Sequence, residues 1–99
     1  MALKQVVIHT PGPNWKSGAN FREQSEDIVI EHVAHYREFH RQGKLLLGGP
    51  FEDIDTGGLM IADENVSREE LEKFAASDPA VQKGLLNYEV KTWYVAMSK

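Results

Sequence analysis

The segment Ser77-Asp78-Pro79-Ala80-Val81 lies where one predicted helix ends and a shorter one begins. It is preceded by core-type residues at the i, i+3, i+4 spacing of a packed helix face, namely Leu71, Phe74 and Ala75. Asp78 takes the next position of that stripe. A carboxylate at a core position must be hydrogen-bonded or paired, because burying an unpaired charge is costly. We therefore expect Asp78 to face a partner, and His32 on the other long helix is the candidate.

On both sides of this segment, strand and helix patterns follow the order β-α-β-β-α-β. Four β-rich runs bounded by turn residues predict strands at 3–10, 44–50, 57–62 and 88–97. Helical spacing predicts helices at 27–42 and 67–77, the second beginning with a Ser67–Glu70 capping box, and Asp78-Pro79 then caps a short helical turn. This order predicts a single α+β domain over residues 1–99, a ferredoxin-like antiparallel sheet with both helices on one face.

Two further expectations concern packing. In the first helix, one face is predicted to consist of Val29, Val33, Tyr36 and His40. Residues 11–25 have loop chemistry, and their two bulky side chains, Trp15 and Phe21, predict a loop that either folds over a site or is anchored to the core.

The strands carry apolar residues at consecutive positions, as in Val6-Val7-Ile8 and Leu45-Leu46-Leu47. A sheet with one wet face would alternate apolar and polar residues instead. Helices can cover only one face, so the second apolar face predicts a homodimer packed sheet to sheet. The alternative is a monomer whose strand ends are buried by loops such as 11–25.

Composition limits the function. The formal net charge is −4 and the basic residues are scattered, which argues against nucleic acid and anionic membranes as partners. The 99 residues include no cysteine, which excludes disulfides, thiol catalysis and thiolate metal sites. No run approaches membrane-spanning length, and the N-terminal residues do not resemble a signal peptide. We expect a cytoplasmic protein.

The chemistry expected of His32 is proton transfer. It lies at the edge of the apolar stripe, and an imidazole next to a carboxylate can titrate near neutral pH, as general acid–base catalysis requires. His35 and His40 are predicted to be surface residues. His32 and His35 at i, i+3, with Asp78, could face one ion, but two histidines without a defined third ligand do not define a metal site, and none is predicted. Gly48-Gly49-Pro50 is not a phosphate loop, since it lacks the lysine and the helix start of that motif.

Three segments together resemble the YciI-like (YCII-related) family. They are EHVAHYREFHRQGKLLLGGPF at 31–51, GGLMI at 57–61 and FAASDPAVQKGLLNYEVKTWYV at 74–95. The family's signature histidine and aspartate fall on His32 and Asp78, and the opening from His9 to Trp15 resembles a subgroup of the family. The resemblance implies a dimeric α+β barrel of two ferredoxin-like protomers, with a His–Asp pair in a pocket. One member of the family is a dehydrochlorinase acting on a chlorinated hydroxyhydroquinone, and muconolactone isomerase shares the barrel plan.

The sequence therefore predicts a cofactor-independent lyase or isomerase, dehydrochlorinase-like, acting on a small cyclic or aromatic molecule. His32 would transfer the proton and Asp78 would orient and stabilise it, while His9 and Trp15 would line the mouth of the pocket and Ser77 would donate a hydrogen bond. The alternative is a non-catalytic small-molecule-binding or accessory protein using the same pocket. A metal-dependent, oxygenase-like activity is the third option.

Overall fold

The computed structural model describes residues 2–99. Four strands, three helices and a 3₁₀ helix follow one another in the order β1 (Ala2–Pro11), the 3₁₀ helix (Phe21–Glu23), α1 (Glu26–Arg41), β2 (Leu45–Pro50), β3 (Gly58–Ala62), α2 (Arg68–Ala76), α3 (Pro79–Gln82) and β4 (Leu86–Val95). The strands form one antiparallel sheet in the order β2-β3-β1-β4. This confirms the predicted ferredoxin-like α+β plan.

Element ends differ from the prediction by a few residues. Strand β4 begins at Leu86 and ends at Val95, so it starts and ends two residues before the predicted strand. Helix α1 ends where Gly43 adopts a φ of +77°, a conformation that glycine takes without a steric cost. The capping box predicted for α2 is half formed. The Ser67 hydroxyl accepts the Glu70 N–H, but the Glu70 carboxylate pairs with Lys44 Nζ at 2.6 Å instead of returning to the cap.

The main core lies between one face of the sheet and the helices. The strand register places Val7 beside Met60 on β3 and Val90 on β4, so the three side chains share this face. The residues that pack with them are Tyr36, Phe39, Leu45, Ala62, Val66, Leu71 and Ala75.

The predicted packed face of α1 was wrong in part. Of the four residues assigned to it, Tyr36 is buried and Val29 is half-buried, whereas Val33 is exposed; His40 is exposed too, as its prediction as a surface residue requires. The buried side chains are His32, Tyr36 and Phe39. The physical reason is that a groove separates α1 from β2, and its lining includes Val29, Val33 and His40.

The opposite face of the sheet carries apolar side chains that no helix covers in the part of the chain described. Val6 pairs with Ile61 and Ile8 pairs with Leu59, so the four side chains lie together on this face, where Val6 is buried and the other three are half-buried. Trp93, which pairs with Lys4 on the same face, is 45% exposed. The two-sided apolar character predicted for the strands is therefore present.

Among the described residues, no helix has the length and apolar composition needed to cross a membrane.

The segment predicted as a loop at 11–25 is ordered by local contacts. Its 3₁₀ helix has the reciprocal capping box between Asn20 and Glu23. Phe21 is buried in a second apolar cluster with Ala80, Leu85 and Leu86, and Trp15 packs against that cluster. The loop thereby closes the end of the molecule where α3 and His32 lie.

Candidate active site

Asp78 is fully buried at the junction of α2 and α3, as its place in the apolar stripe predicted. Its two carboxylate oxygens have different partners. Oδ1 accepts the Ala80 N–H at 2.9 Å, which caps α3, and Oδ2 lies 2.6 Å from Nδ1 of His32. Because a carboxylate can only accept, His32 Nδ1 carries the proton of that bond. One side chain therefore both begins a helix and fixes the orientation of an imidazole.

His32 is more deeply placed than the half-buried edge position predicted for it, since it is only 5% exposed. Its other ring nitrogen, Nε2, has no hydrogen bond with any residue from 2 to 99. Within those residues, every side-chain nitrogen or oxygen that is closed off from solvent has a hydrogen-bond partner. Nε2 therefore reaches accessible space, and His32 lines both cavities described below. With Nδ1 protonated, Nε2 presents a lone pair to whatever occupies that space.

His9 was expected at the mouth of the pocket, but it lies at the base of the site and is 1% exposed. Its Nδ1 donates to the Asn87 carbonyl at 3.0 Å, so Nε2 is the acceptor for the Tyr36 hydroxyl at 2.9 Å. Burial, with a smaller contribution from the neighbouring His32, lowers the pKa of His9 to about 4. Burial raises the pKa of the Tyr36 phenol, and the charge of Asp78 adds to this effect. His9 and Tyr36 are therefore both neutral at pH 7.

His9 also approaches the His32–Asp78 pair. Its Nε2 lies 3.9 Å from Asp78 Oδ2, and its ring meets the His32 ring edge-on at a centroid distance of 5.4 Å. From the sequence, His32 and His35 could have faced one ion. In the structure His35 is not available for this, because its Nε2 donates to the Phe74 carbonyl.

The residues that could hold a metal are His9, His32 and Asp78, whose ligand atoms lie within 4.8 Å of one another. Neighbouring ligands around a tetrahedral ion with bonds of about 2 Å are about 3.3 Å apart. The 2.6 Å separation of His32 and Asp78 is instead that of a direct hydrogen bond. A metal would have to open this bond, so the geometry fits a shared proton better than an ion.

The other two residues predicted to bind substrate lie away from this cluster. Trp15 is half-buried and its Nε1 donates to Asp55 Oδ1 at 3.1 Å, which anchors the loop. Ser77 is exposed and its hydroxyl donates to the Phe74 carbonyl at 2.9 Å. Neither residue lines the two cavities at His32.

Two cavities meet at His32. The larger is a groove of about 520 Å³ between α1 and β2, and the smaller, of about 10 Å³, extends toward His9. Both are lined by Phe21, whose ring contacts the His32 ring edge-on at a centroid distance of 4.8 Å. A volume of this size accommodates a small organic molecule whose end contacts the imidazole.

The sequence predicts Phe21 only as part of a loop that folds over a site or is anchored to the core, and it predicts no role at the site for Tyr36 or Asn87. For Tyr36 a signal exists, because a residue four positions after His32 lies on the same side of the helix. For His9 the signal is its i+2 relation to the core residue Val7, which points both side chains to the same face of the sheet. The contacts of Phe21 and Asn87 depend on long-range packing and give no local signal.

This is a small α+β protein in which a buried imidazole–carboxylate pair adjoins a groove with largely apolar walls. The chain belongs to the YCII-related domain family, whose profile matches residues 4–94. No curated protein matches the chain.

Among solved structures, the chain is similar to 5-chloro-2-hydroxyhydroquinone dehydrochlorinase from Burkholderia phenoliruptrix, in its complex with 2,5-dihydroxybenzoquinone. The TM-score is 0.66 at 21% identity, and the match covers 93% of each chain. At this identity the similarity establishes the shared fold.

Proposed function

We propose that this protein is a cofactor-independent lyase or isomerase in which His32 Nε2 transfers a proton of a small cyclic or aromatic substrate. One observation carries the proposal: His32 Nδ1 is bonded to Asp78 at 2.6 Å, while Nε2 has no hydrogen-bond partner among residues 2–99 and the side chain lines the groove. The carboxylate keeps the proton on Nδ1 and stabilises the imidazolium that forms when Nε2 accepts a second proton. Such an arrangement contributes about 10²–10⁴-fold to a rate.

The dehydrochlorinase form of this reaction needs only this pair and an apolar cavity. Nε2 takes a proton from the substrate, and the electron pair of the broken bond forms a new double bond. Chloride leaves with the electron pair of the carbon–chlorine bond, so the sum is loss of HCl and no oxidant or reductant is consumed. In the isomerase form, the imidazolium returns the proton to a different substrate atom.

We also propose that the protein is a homodimer packed through the open face of its sheet. The support is the apolar patch formed by Val6, Ile8, Leu59 and Ile61, which the helices leave uncovered within residues 2–99. A cytoplasmic location and a single domain over residues 1–99 stay predictions of the sequence.

The test is chloride release from 5-chloro-2-hydroxyhydroquinone, the compound named for the similar dehydrochlorinase. It is measured under nitrogen, because hydroquinones oxidise in air, and the rate in buffer alone is subtracted. We expect release that falls about 100-fold or more in His32→Gln. The matched control is His35→Gln, because His35 lies on the same helix and lines neither cavity at His32.

Chloride release that is the same in His32→Gln and the wild type would contradict the catalytic role of His32. Tight binding of the compound without release would favour the alternative, a non-catalytic binding protein using the same groove. Ser77→Ala and Trp15→Phe, measured in the same assay, test the substrate contacts proposed for those residues from the sequence.

A further inference from the structure

The charges along the groove between α1 and β2 are of one sign, and we propose that the groove selects small organic anions, with Arg37 neutralising the ligand's charge. This inference rests on the proposed function only in placing the substrate beside His32. It adds a substrate class, an aromatic or cyclic acid, and a residue that determines specificity.

The first observation is the charge of the lining. Arg22 and Arg37 line the groove together with His40, and no aspartate or glutamate lines it. The protein as a whole carries a formal net charge of −4, so the charge of the groove lining is opposite in sign to the net charge of the protein. The carboxylate of Asp78 lies behind His32 and is already bonded to His32 Nδ1 and the Ala80 N–H. An anion in the groove therefore faces the guanidinium groups of Arg37 and Arg22 and no carboxylate of the lining, and of the two Arg22 is itself paired with Glu52.

The second observation is that Arg37 is unengaged. Arg22 pairs with Glu52 at 2.8 Å, and Arg41, one turn further along α1, pairs with Glu38. The Arg37 side chain has no hydrogen bond or ion pair with any residue between 2 and 99. Its guanidinium can therefore present its donors to a carboxylate or phenolate without first breaking another contact.

The third observation is spacing. Arg37 follows His32 by five residues, which is about 7.5 Å along the helix axis and about 140° around it, and both side chains line the groove. Between them the walls of the groove are apolar, with Val29 and Val33 on the helix side and Leu45 on the strand side. The geometry fits a ligand of about one ring, with the reacting atom at the imidazole and an acidic substituent toward the guanidinium.

The experiment uses unreactive probes, so that it does not depend on turnover. Benzoate and its neutral counterpart benzamide are titrated into the full-length protein, followed by the amide NMR signals of residues lining the groove, such as Val33 and Gly48. Phenylacetate and phenylacetamide form a second pair with a longer reach. We expect each acid to shift these signals at millimolar concentration and to bind about tenfold more tightly than its amide.

The variants are Arg37→Gln and, as the matched control, Arg41→Gln, which removes the same charge from the same helix outside the groove. We expect Arg37→Gln to weaken binding of the acids about tenfold and to leave the amides unchanged, and Arg41→Gln to leave both unchanged. Arg37 is exposed and has no partner in the described chain, so its replacement leaves the fold intact.

Three results would overturn the inference. The first is equal binding of acid and amide, or no shifts up to about 10 mM of either acid. The second is an equal loss of binding in the two arginine variants. The third is a change of oligomeric mass in Arg37→Gln, which would make the groove an interface between copies of the chain. Arg37-dependent anion binding in a protein whose turnover is unaffected by His32→Gln would instead refute the proposed catalysis and leave this inference intact.

Discussion

At the scale of single residues, the site depends on the two bonds of Asp78. One oxygen is committed to the Ala80 N–H, and this fixes the direction in which the other meets His32. Because both bonds are buried, neither is weakened by exchange with water. The imidazole is thereby held in one tautomer before any ligand binds, which is what a general base requires.

His9 gives the first prediction at this scale. Its pKa is lowered to about 4 in the fold by burial, against 6.5 in an unfolded chain. Between these pH values the unfolded chain binds a proton that the folded chain does not. The free energy of unfolding therefore falls as the pH is lowered from 6.5 to 4, by up to roughly 3 kcal/mol from this residue.

The measurement is urea denaturation of the wild type and His9→Gln at several pH values in this range. We expect the stability of the wild type to decline more steeply with falling pH, because the variant has no group to protonate at this position. His40→Gln is the control, since His40 is exposed. Parallel curves for the wild type and His9→Gln would show that burial does not lower the pKa of His9.

At the scale of elements, the sequence predicted order and type but not every contact. The capping box at Ser67 was only half right, because Lys44, distant in sequence, competes for the Glu70 carboxylate. The prediction of which α1 side chains pack on the sheet was wrong in part. Periodicity alone does not distinguish a residue packed on the sheet from one that lines a groove. Both differences arise from tertiary contacts that no local pattern encodes.

Gly57 gives a prediction for the connection that leads into β3. An added Cβ there would lie 2.1 Å from the carbonyl oxygen of His9, a backbone atom that cannot move aside. We expect Gly57→Ala to lower the free energy of unfolding by about 2 kcal/mol or more. At Gly49, on the neighbouring strand, an added Cβ has no neighbour within 4 Å, so Gly49→Ala is the matched control. Equal stabilities of the two variants in urea denaturation would refute the steric argument.

At the scale of the whole molecule, the fold could be predicted because strand and helix patterns alternate in an order that few architectures accommodate. The pairing of His32 with Asp78 could be proposed because a carboxylate interrupts an apolar stripe. The depth of His9 and the contact of Phe21 with His32 could not, since they follow from the register of β1 and the docking of a loop. The groove likewise appears only when α1 and β2 are placed together.

The proposed homodimer is tested by molecular mass in solution. We expect light scattering to give twice the 11.2 kDa of one chain. Ile61→Lys places a charge within the open sheet face and is expected to give the monomer mass, because burying an unpaired lysine in an interface is costly. Ile30→Lys is the control, since Ile30 is exposed on α1, away from that face. A wild-type mass of one chain would contradict the dimer.

Whether His32 can act as the base is decided by which nitrogen of its neutral ring carries the proton, and this is read from the ring nitrogen signals by NMR. We expect the neutral ring to carry its proton on Nδ1, held by Asp78, and none on Nε2. In Asp78→Asn the amide oxygen would still cap α3, which turns the amide NH₂ toward Nδ1 and moves the ring proton to Nε2. A neutral wild-type ring with its proton on Nε2, or the same tautomer in the wild type and Asp78→Asn, would show that Asp78 does not set the tautomer of His32.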